Sequence, residues 1–360
     1  MMELKLLHAA DLHLGSSFQT LGEKGALRRA EMRTLPSRLA TLCREKDADL
    51  LLLSGDVFDR PDAPAGMARE LFSALSETGC PVFIAPGNHD FYHPGSPYAR
   101  VEAPENVHIF RSETPECVCL EELGAEVWGR AFVSPDSVPP LRSFRPEKTG
   151  RLSVGVFHGD TASAGSPYGA VTYEDIAACG LDYLALGHIH TPSPLRRAGS
   201  TFFAYPGCAM GRGFDECGDR GALFVRLGDG VCRSELVSLG AGRFETLSLG
   251  YVRGFEQLLP EHTENDVFRL TLTGEADRPP DTGLIKKALE HRFFDLEVVD
   301  ETVPRRDIWQ GAGGDTLRGV FLRRMKALYD DAPEEERDVI LLAAQWGLAS
   351  LDGGEAVREI

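Results

Sequence analysis

The sequence predicts an α/β fold: two packed mixed β-sheets flanked by helices, then a small β-α-β segment and C-terminal helices. Three observations predict it. Short apolar runs alternate with amphipathic stretches at the start of the chain, and from about residue 107 the runs crowd together. Polar clusters rich in histidine follow the runs rather than interrupt them, as they do where a sheet carries a site at its strand ends.

Residues 4–10, 50–54 and 82–85 read as buried strands, because each is a near-continuous apolar run too short for a helix and closed by polar residues or glycine. The stretches 27–44 and 65–77 between them have helical periodicity, so the opening is β-α-β-α-β, with Pro36 expected to kink the first helix. Runs at 107–110, 117–121, 126–132, 152–158 and 181–186 read as further strands, and 201–204, 221–227 and 231–239 as a closing antiparallel group.

Glycines cluster over 240–254, which suggests a boundary after a large domain of residues 1–245. A small domain at 250–310 follows, with a strand at 267–273, a helix at 282–291 and a strand at 295–302. A helical tail at 314–360 carries helices at 316–329 and 333–351. The second of these opens with Pro333 and three glutamates, which suits a helix N-terminus. Leu317, Val320, Phe321 and Leu328 form one stripe on the first, expected to be internal core.

The chain has 360 residues, 42% of them hydrophobic, enough for a sizeable core. Its 38 Lys and Arg against 55 Asp and Glu give a net charge of −17, which argues against gripping bare nucleic acid by charge alone. A nuclease whose bound cations or partner offset that acidity stays open. The eight cysteines are scattered without a C-x-x-C pair and are expected to be free thiols in a reducing cytoplasm. Cys117 and Cys119, alternating on a strand, read as packing residues. The run at 4–10 is broken by Lys5 and His8 and stops at Asp11, unlike a secretory leader, and no 18-residue apolar run exists to span a membrane. A soluble, cytoplasmic protein is expected.

The chemistry-bearing residues sit where strands end. Asp11-Leu12-His13 follows the first strand, Gly55-Asp56 the second and Gly87-Asn88-His89-Asp90 the third. His158 ends a later strand, and Gly187-His188-Ile189-His190 ends the next. In extended chain, residues i and i+2 face one way, so Asp11 with His13, and His188 with His190, can each project toward one point. The donors are carboxylate, imidazole and one amide, with no thiolate, which suits manganese, iron, zinc or nickel better than calcium. Seven donors are too many for one ion and about right for two that share a carboxylate.

These five elements, in this order, resemble the signature of the calcineurin-like metallophosphoesterases, and half of the ten histidines fall inside them. The resemblance implies two divalent ions, manganese first among iron, zinc, nickel and magnesium. It implies that Asp11, His13 and His190 hold one ion and Asn88, His158 and His188 the other, with Asp56 bridging. His89 would steady the transition state or protonate the leaving oxygen, oriented by Asp90. A hydroxide between the ions would attack phosphorus in line.

The runs Asp11-Leu12-His13-Leu14-Gly15, Gly55-Asp56-Val57-Phe58-Asp59-Arg60 and Leu184 through His190, followed by Tyr205-Pro206-Gly207, are similar to the SbcD and YhaO-like branch of DNA-repair exonucleases. The likeness is firm over about residues 4–240. It implies DNA as substrate, an SMC-like ATPase subunit as partner and no membrane, and it leaves a homodimer open. Residues 250–310 would cap the site, and the tail would meet the ATPase. Asp59 stands where archaeal and eukaryotic relatives usually have histidine, so it receives no DNA-contacting role. Arg60 and Arg212 read as salt-bridged surface residues that could also reach phosphate, and His93 as a residue beside the site. Two other readings stay in play: a phosphodiesterase or phosphatase for nucleotides or small phosphate esters, and a metal-bearing scaffold that does not cut.

Overall fold

Runs such as Leu50–Leu53, buried along their whole length, can only be strands covered on both faces. The computed structural model describes residues 3–228, 230–305 and 307–351. The chain opens with β1 (Leu4–Ala9), α1 (Gly25–Met32), α2 (Leu35–Glu45), β2 (Leu50–Leu53), α3 (Ala65–Leu75), β3 (Val82–Ile84), α4 (Pro97–Arg100) and β4 (Val107–Ile109). Then come β5 (Glu116–Leu120), β6 (Ala125–Gly129), β7 (Leu152–His158), α5 (Tyr173–Cys179), β8 (Tyr183–Gly187), β9 (Arg196–Ala198), β10 (Thr201–Ala204), β11 (Gly221–Gly228) and β12 (Val231–Ser238). The remainder is β13 (Phe244–Gly250), β14 (Val267–Thr273), β15 (Glu275–Ala276), α6 (Thr282–Leu289), β16 (Asp295–Asp300), β17 (Val303–Pro304), α7 (Leu317–Asp331) and α8 (Glu334–Leu351).

Two six-stranded sheets, ordered β12-β11-β1-β2-β3-β4 and β5-β6-β7-β8-β10-β9, form the body of the fold. Alternation along each strand decides which residues face which layer. Leu4, Leu6, Leu50, Leu52 and Phe83 point into a shared core with Val127, Val154, Val156, Tyr183 and Ala185 of the other sheet. Their neighbours Leu7, Leu51, Leu53, Val82 and Ile84 pack instead on Leu39, Leu42, Leu71, Phe72 and Leu75 of α2 and α3. On the far face of the second sheet, Phe157, Leu184 and Leu186 meet Ile176 and Cys179 of α5. Each such leucine contributes roughly 1.5–3 kcal/mol by leaving water. Because β1, β2 and β3 are mutually parallel, as are β7 and β8, their carboxyl ends lie together at one end of each sheet.

Two helical expectations change. The stretch 27–44 is not one kinked helix but two, α1 and α2, with Pro36 in the first turn of α2, where its missing N–H costs nothing. Helix α5, unread in the sequence because it is short, is opened by a capping box in which the Thr172 hydroxyl accepts from the Asp175 amide at 3.1 Å. The glycine-rich stretch 240–254 carries β13.

Contacts divide the chain into two units. The first comprises Met1–Leu247, Leu259–Leu270 and Gly283–Val298 and holds both large sheets. The second comprises Ser248–Leu258, Thr271–Thr282 and Val299–Ile360. In the second unit β15 pairs in parallel with β17, and α7 packs on α8, where the Phe321 ring lies so close to Gly347 that an added Cβ would sit 2.1 Å from it. The expected internal stripe on α7 is corrected: Leu317, Val320 and Leu328 are exposed, because the face that meets α8 is set by Phe321 and buried Leu322. Residues 352–360 of the tail lie outside the described residues. Among the described residues, no helix is long and apolar enough to cross a membrane.

Candidate metal centre

The site grows from the loops that leave β1, β2, β3, β7 and β8. Four of its donors, Asp11 (φ 50°), His13 (φ 45°), Asp56 (φ 49°) and His188 (φ 111°), sit on left-handed backbone that L-residues rarely adopt. Such conformations persist only where surrounding bonds over-determine them. Here the Asp11 amide donates to the Gly55 carbonyl at 3.0 Å, and that of His13 to the Asp56 carbonyl at 2.9 Å. Gly87 permits a close approach: a Cβ there would lie 2.3 Å from the Asp56 carboxylate, whose Oδ1 accepts from the His89 amide at 2.9 Å. A Cβ on Gly55 would strike the His158 ring at 2.3 Å.

The seven expected donors fall into two groups that meet at Asp56. In the first, His13 Nε2 and His190 Nε2 are 3.2 Å apart, and Asp11 Oδ1 is 3.9 Å from His190 Nε2. In the second, Asn88 Oδ1 is 2.9 Å from His158 Nε2 and 3.2 Å from His188 Nδ1. Asp56 Oδ2 lies 3.9 Å from His13 Nε2 and 3.4 Å from His158 Nε2, between the two.

The donor set fits divalent cations. His158 Nδ1 must donate to the Ser54 carbonyl, 2.8 Å away, so in the neutral ring Nε2 turns a lone pair toward the oxygens of Asn88 and Asp56. His190 Nδ1 likewise donates to Glu216 Oε1 at 2.7 Å and turns the Nε2 lone pair on His13 Nε2. Nitrogen and oxygen donors that converge this closely, on rings fixed by bonds at their far nitrogens, suit a divalent cation.

The electrostatics record the same crowding. Burial works against a charged His158, yet the Asp56 and Asp11 carboxylates outweigh it and hold the ring up at about 9. Asp11 is pushed up to about 6 by burial, with the Asp56 charge adding to it. Asp56 goes the other way: burial would raise it, but His158, His13 and His89 pull it well below the usual carboxylate range. His188 is lowered to about 4 by burial and by the neighbouring His158.

His89 is exposed at the rim, its ring centroid 4.9 Å from that of His13 and its Nδ1 3.3 Å from the Asp59 carbonyl. Asp90, expected to orient it, does something else. Its fully buried carboxylate accepts from the amides of Gly87 at 2.7 Å, Val57 at 2.8 Å and Phe58 at 3.1 Å, and from the Tyr98 hydroxyl. These bonds clamp the β2 and β3 loops together, so Asp90 acts on the loops rather than on the His89 ring.

His93 lies against backbone, accepting from the Gly95 amide at 3.1 Å with Nε2 3.3 Å from the Pro61 carbonyl. Arg60 is exposed and paired with Asp62 at 3.2 Å. Arg212 is salt-bridged, to Glu216 at 2.7 Å and to Asp59 at 3.5 Å. Asp59 in turn lies 3.3 Å from His13 Nδ1 and accepts from the Ser16 hydroxyl at 2.8 Å. Glu216, only 4% exposed, is the residue the sequence reading missed: it stands 26 positions from His190 in no recognisable motif, and only its burial beside that ring reveals it.

Comparison with known proteins agrees with this geometry. The family profile described as "Calcineurin-like phosphoesterase" matches residues 4–192, more than half of the chain and all seven donors. The "Uncharacterized metallophosphoesterase YhaO" of Bacillus subtilis is 30% identical over 63% of this chain and 58% of its own length. The "DNA double-strand break repair protein Mre11" of Methanopyrus kandleri is 27% identical over 90% of this chain and 76% of its own. One component of the nuclease SbcCD of Bacillus subtilis is 26% identical over 60% of this chain and 64% of its own. The chain thus spans about three fifths of the length of the two Bacillus relatives. With the profile covering every strand end that carries a donor, this chain belongs to the calcineurin-like phosphoesterase family.

Proposed function

We propose that this protein is a two-metal-dependent phosphodiesterase that cleaves DNA as an exo- or endonuclease in repair, together with an SMC-like ATPase. The observation that carries the reading is the meeting of two donor groups at the single carboxylate of Asp56. Asp11, His13 and His190 would hold one divalent ion and Asn88, His158 and His188 the other, with manganese the expected metal. Bound there, the ions would polarise the phosphoryl oxygens and lower the pKa of water to make a nucleophile. The chain's own residues do the rest. Asp56 sets the spacing of the two groups. Asp90 fixes the β2 and β3 loops against each other. His89, exposed and with its Nδ1 held near the Asp59 carbonyl, has Nε2 left to deliver a proton to the departing oxygen.

The names of the relatives support DNA as the substrate, and a relative that is one component of a larger nuclease supports a partner for this chain. We further assign residues 250–310 as a cap on substrate access, the 314–360 tail as the part that meets the ATPase, and the cytoplasm as the compartment. The net charge of −17 favours a second reading, hydrolysis of nucleotides or other small phosphate esters, which need no basic face. Turnover of linear duplex DNA, a cyclic nucleotide and a phosphomonoester, compared in manganese with and without an ATPase subunit, separates the two. Cleavage of DNA supports the first reading; turnover of small esters alone, with the ATPase added, overturns it.

A further inference from the structure

The second sheet ends in a group of donors unrelated to the strand-end centre. On the edge strand β5, Cys117 and Cys119 alternate onto one face, and across the ladder Cys119 pairs with Glu126 and Cys117 with Trp128. Both cysteines are exposed, which corrects their expected role as packing residues. The two Sγ atoms and a carboxylate oxygen of Glu126 all lie within 4.8 Å of one another.

Glu126 is the informative member. It is 1% exposed, and a buried carboxylate is costly unless something compensates it. It accepts from the Ser153 hydroxyl at 2.5 Å, the Thr149 hydroxyl at 2.8 Å and the Trp128 indole at 3.2 Å. These neutral donors fix and orient the carboxylate, yet none supplies positive charge. The nearby Arg151 guanidinium, hydrogen-bonded to Glu121 at 2.6 Å, favours the Glu126 carboxylate without bonding to it. Carboxylates that ligate metals are oriented by such outer hydrogen bonds.

We propose that Cys117, Cys119 and Glu126 bind one thiophilic divalent cation, zinc being the biological member of the class. In a four-coordinate site with Zn–S near ~2.3 Å, neighbouring donor atoms stand about 3.5–4 Å apart, within small side-chain rotations of the present spacing. The fourth position opens to solvent, by which the ion enters. A disulfide is the poorer fate for this pair. Two strand residues i and i+2 have Cα atoms roughly 6.6–6.8 Å apart, at the extreme of the roughly 4.4–6.8 Å that disulfides span. The site would bind by sulfur, whereas the strand-end centre offers only nitrogen and oxygen, so the two select different ions.

The test does not depend on phosphoester hydrolysis. The full chain, kept reduced with a phosphine, is titrated with cadmium while the ultraviolet thiolate-to-cadmium charge-transfer band is followed; donors without sulfur contribute nothing to it. The expected result is a saturable band that zinc displaces. The C117S/C119S double variant, altered only at exposed positions, loses the band and binds one cadmium fewer at unchanged thermal stability. Glu126→Gln weakens the titration by about tenfold or more. No band in the wild type, a band that survives in the double variant, or a Glu126→Gln titration identical to wild type overturns the proposal.

Discussion

The two halves of the metal centre are braced by different means. The His190 half leans on side chains from a distant loop: Glu216 accepts a hydrogen bond from His190 Nδ1, Arg212 ties Glu216 to Asp59, and Asp59 lies 3.3 Å from His13 Nδ1. The His158 half leans on main chain. Its ring donates to the Ser54 carbonyl, and the Ser54 hydroxyl rests on buried His8, 3.1 Å away, which is bonded to the Tyr183 hydroxyl at 2.9 Å. A charged brace can be removed by one substitution and tuned by a conservative one, whereas a carbonyl brace cannot be mutated and is disturbed only through what holds the strand. The difference teaches that two groups of similar candidate donors need not respond alike to substitutions outside them.

The largest effect is expected where the halves meet. Asp56→Asn leaves the shared position uncharged, so manganese titration by calorimetry should lose both binding steps and hydrolysis should fall to background. Loss of one step alone would break the picture of a common carboxylate. His89→Asn should keep both steps and reduce kcat by about 10²–10⁴-fold with little change in KM, since proton delivery contributes that much. A variant with unchanged kcat would remove His89 from the reaction.

The comparison itself is sharpened by Glu216. Glu216→Ala should weaken manganese binding in the His190 half by roughly 10–100-fold and leave the other step in place, while Glu216→Gln, which can still accept from Nδ1, should recover much of the loss. Equal weakening of both steps would show that the halves are not separately braced.

The smallest effect at neutral pH belongs to the His8 brace. Burial lowers the His8 pKa to about 3 from 6.5. The unfolded chain therefore takes up a proton near pH 6.5 that the folded chain refuses until about 3. The stability of the neutral ring is intact above pH 6.5 and declines by up to ~1.4 kcal/mol per pH unit as pH falls through that window. Urea denaturation of the metal-free chain at about pH 6 and about pH 4 should show a smaller loss in His8→Gln than in the wild type, although the variant is less stable at neutrality. Equal losses would show that His8 does not titrate in this way.

Much of the centre was legible because its information is local. Apolar runs mark the strands whose ends carry Asp11, His13, His188 and His190, but extended-chain alternation is not what aims them: Asp11, His13 and His188 have left-handed backbone, and His188 and His190 fall in different donor groups. Gly55 and Gly87 announce close approaches, which the 2.3 Å that each Cβ would reach bears out. The break between α1 and α2 was half legible: Pro36 announced a disturbance, but whether it kinks a helix or starts one depends on the turn at Arg33 and Thr34. Helix α5 escaped because seven residues hold too few periods to stand out.

By itself, then, the sequence determined most strands of the two large sheets, the order of the sheet-end loops and seven candidate donors, since each follows from residues a few positions apart. Only the tertiary structure decided that Glu216 reaches His190 and Asp59 lies near His13 Nδ1, that Asp90 clamps loops instead of steering His89, and that Cys117 and Cys119 meet Glu126 in the open. Those pairings join elements far apart in the chain. Their reward is the burial and hydrogen bonding of groups that no local pattern brings together, so no local pattern announces them.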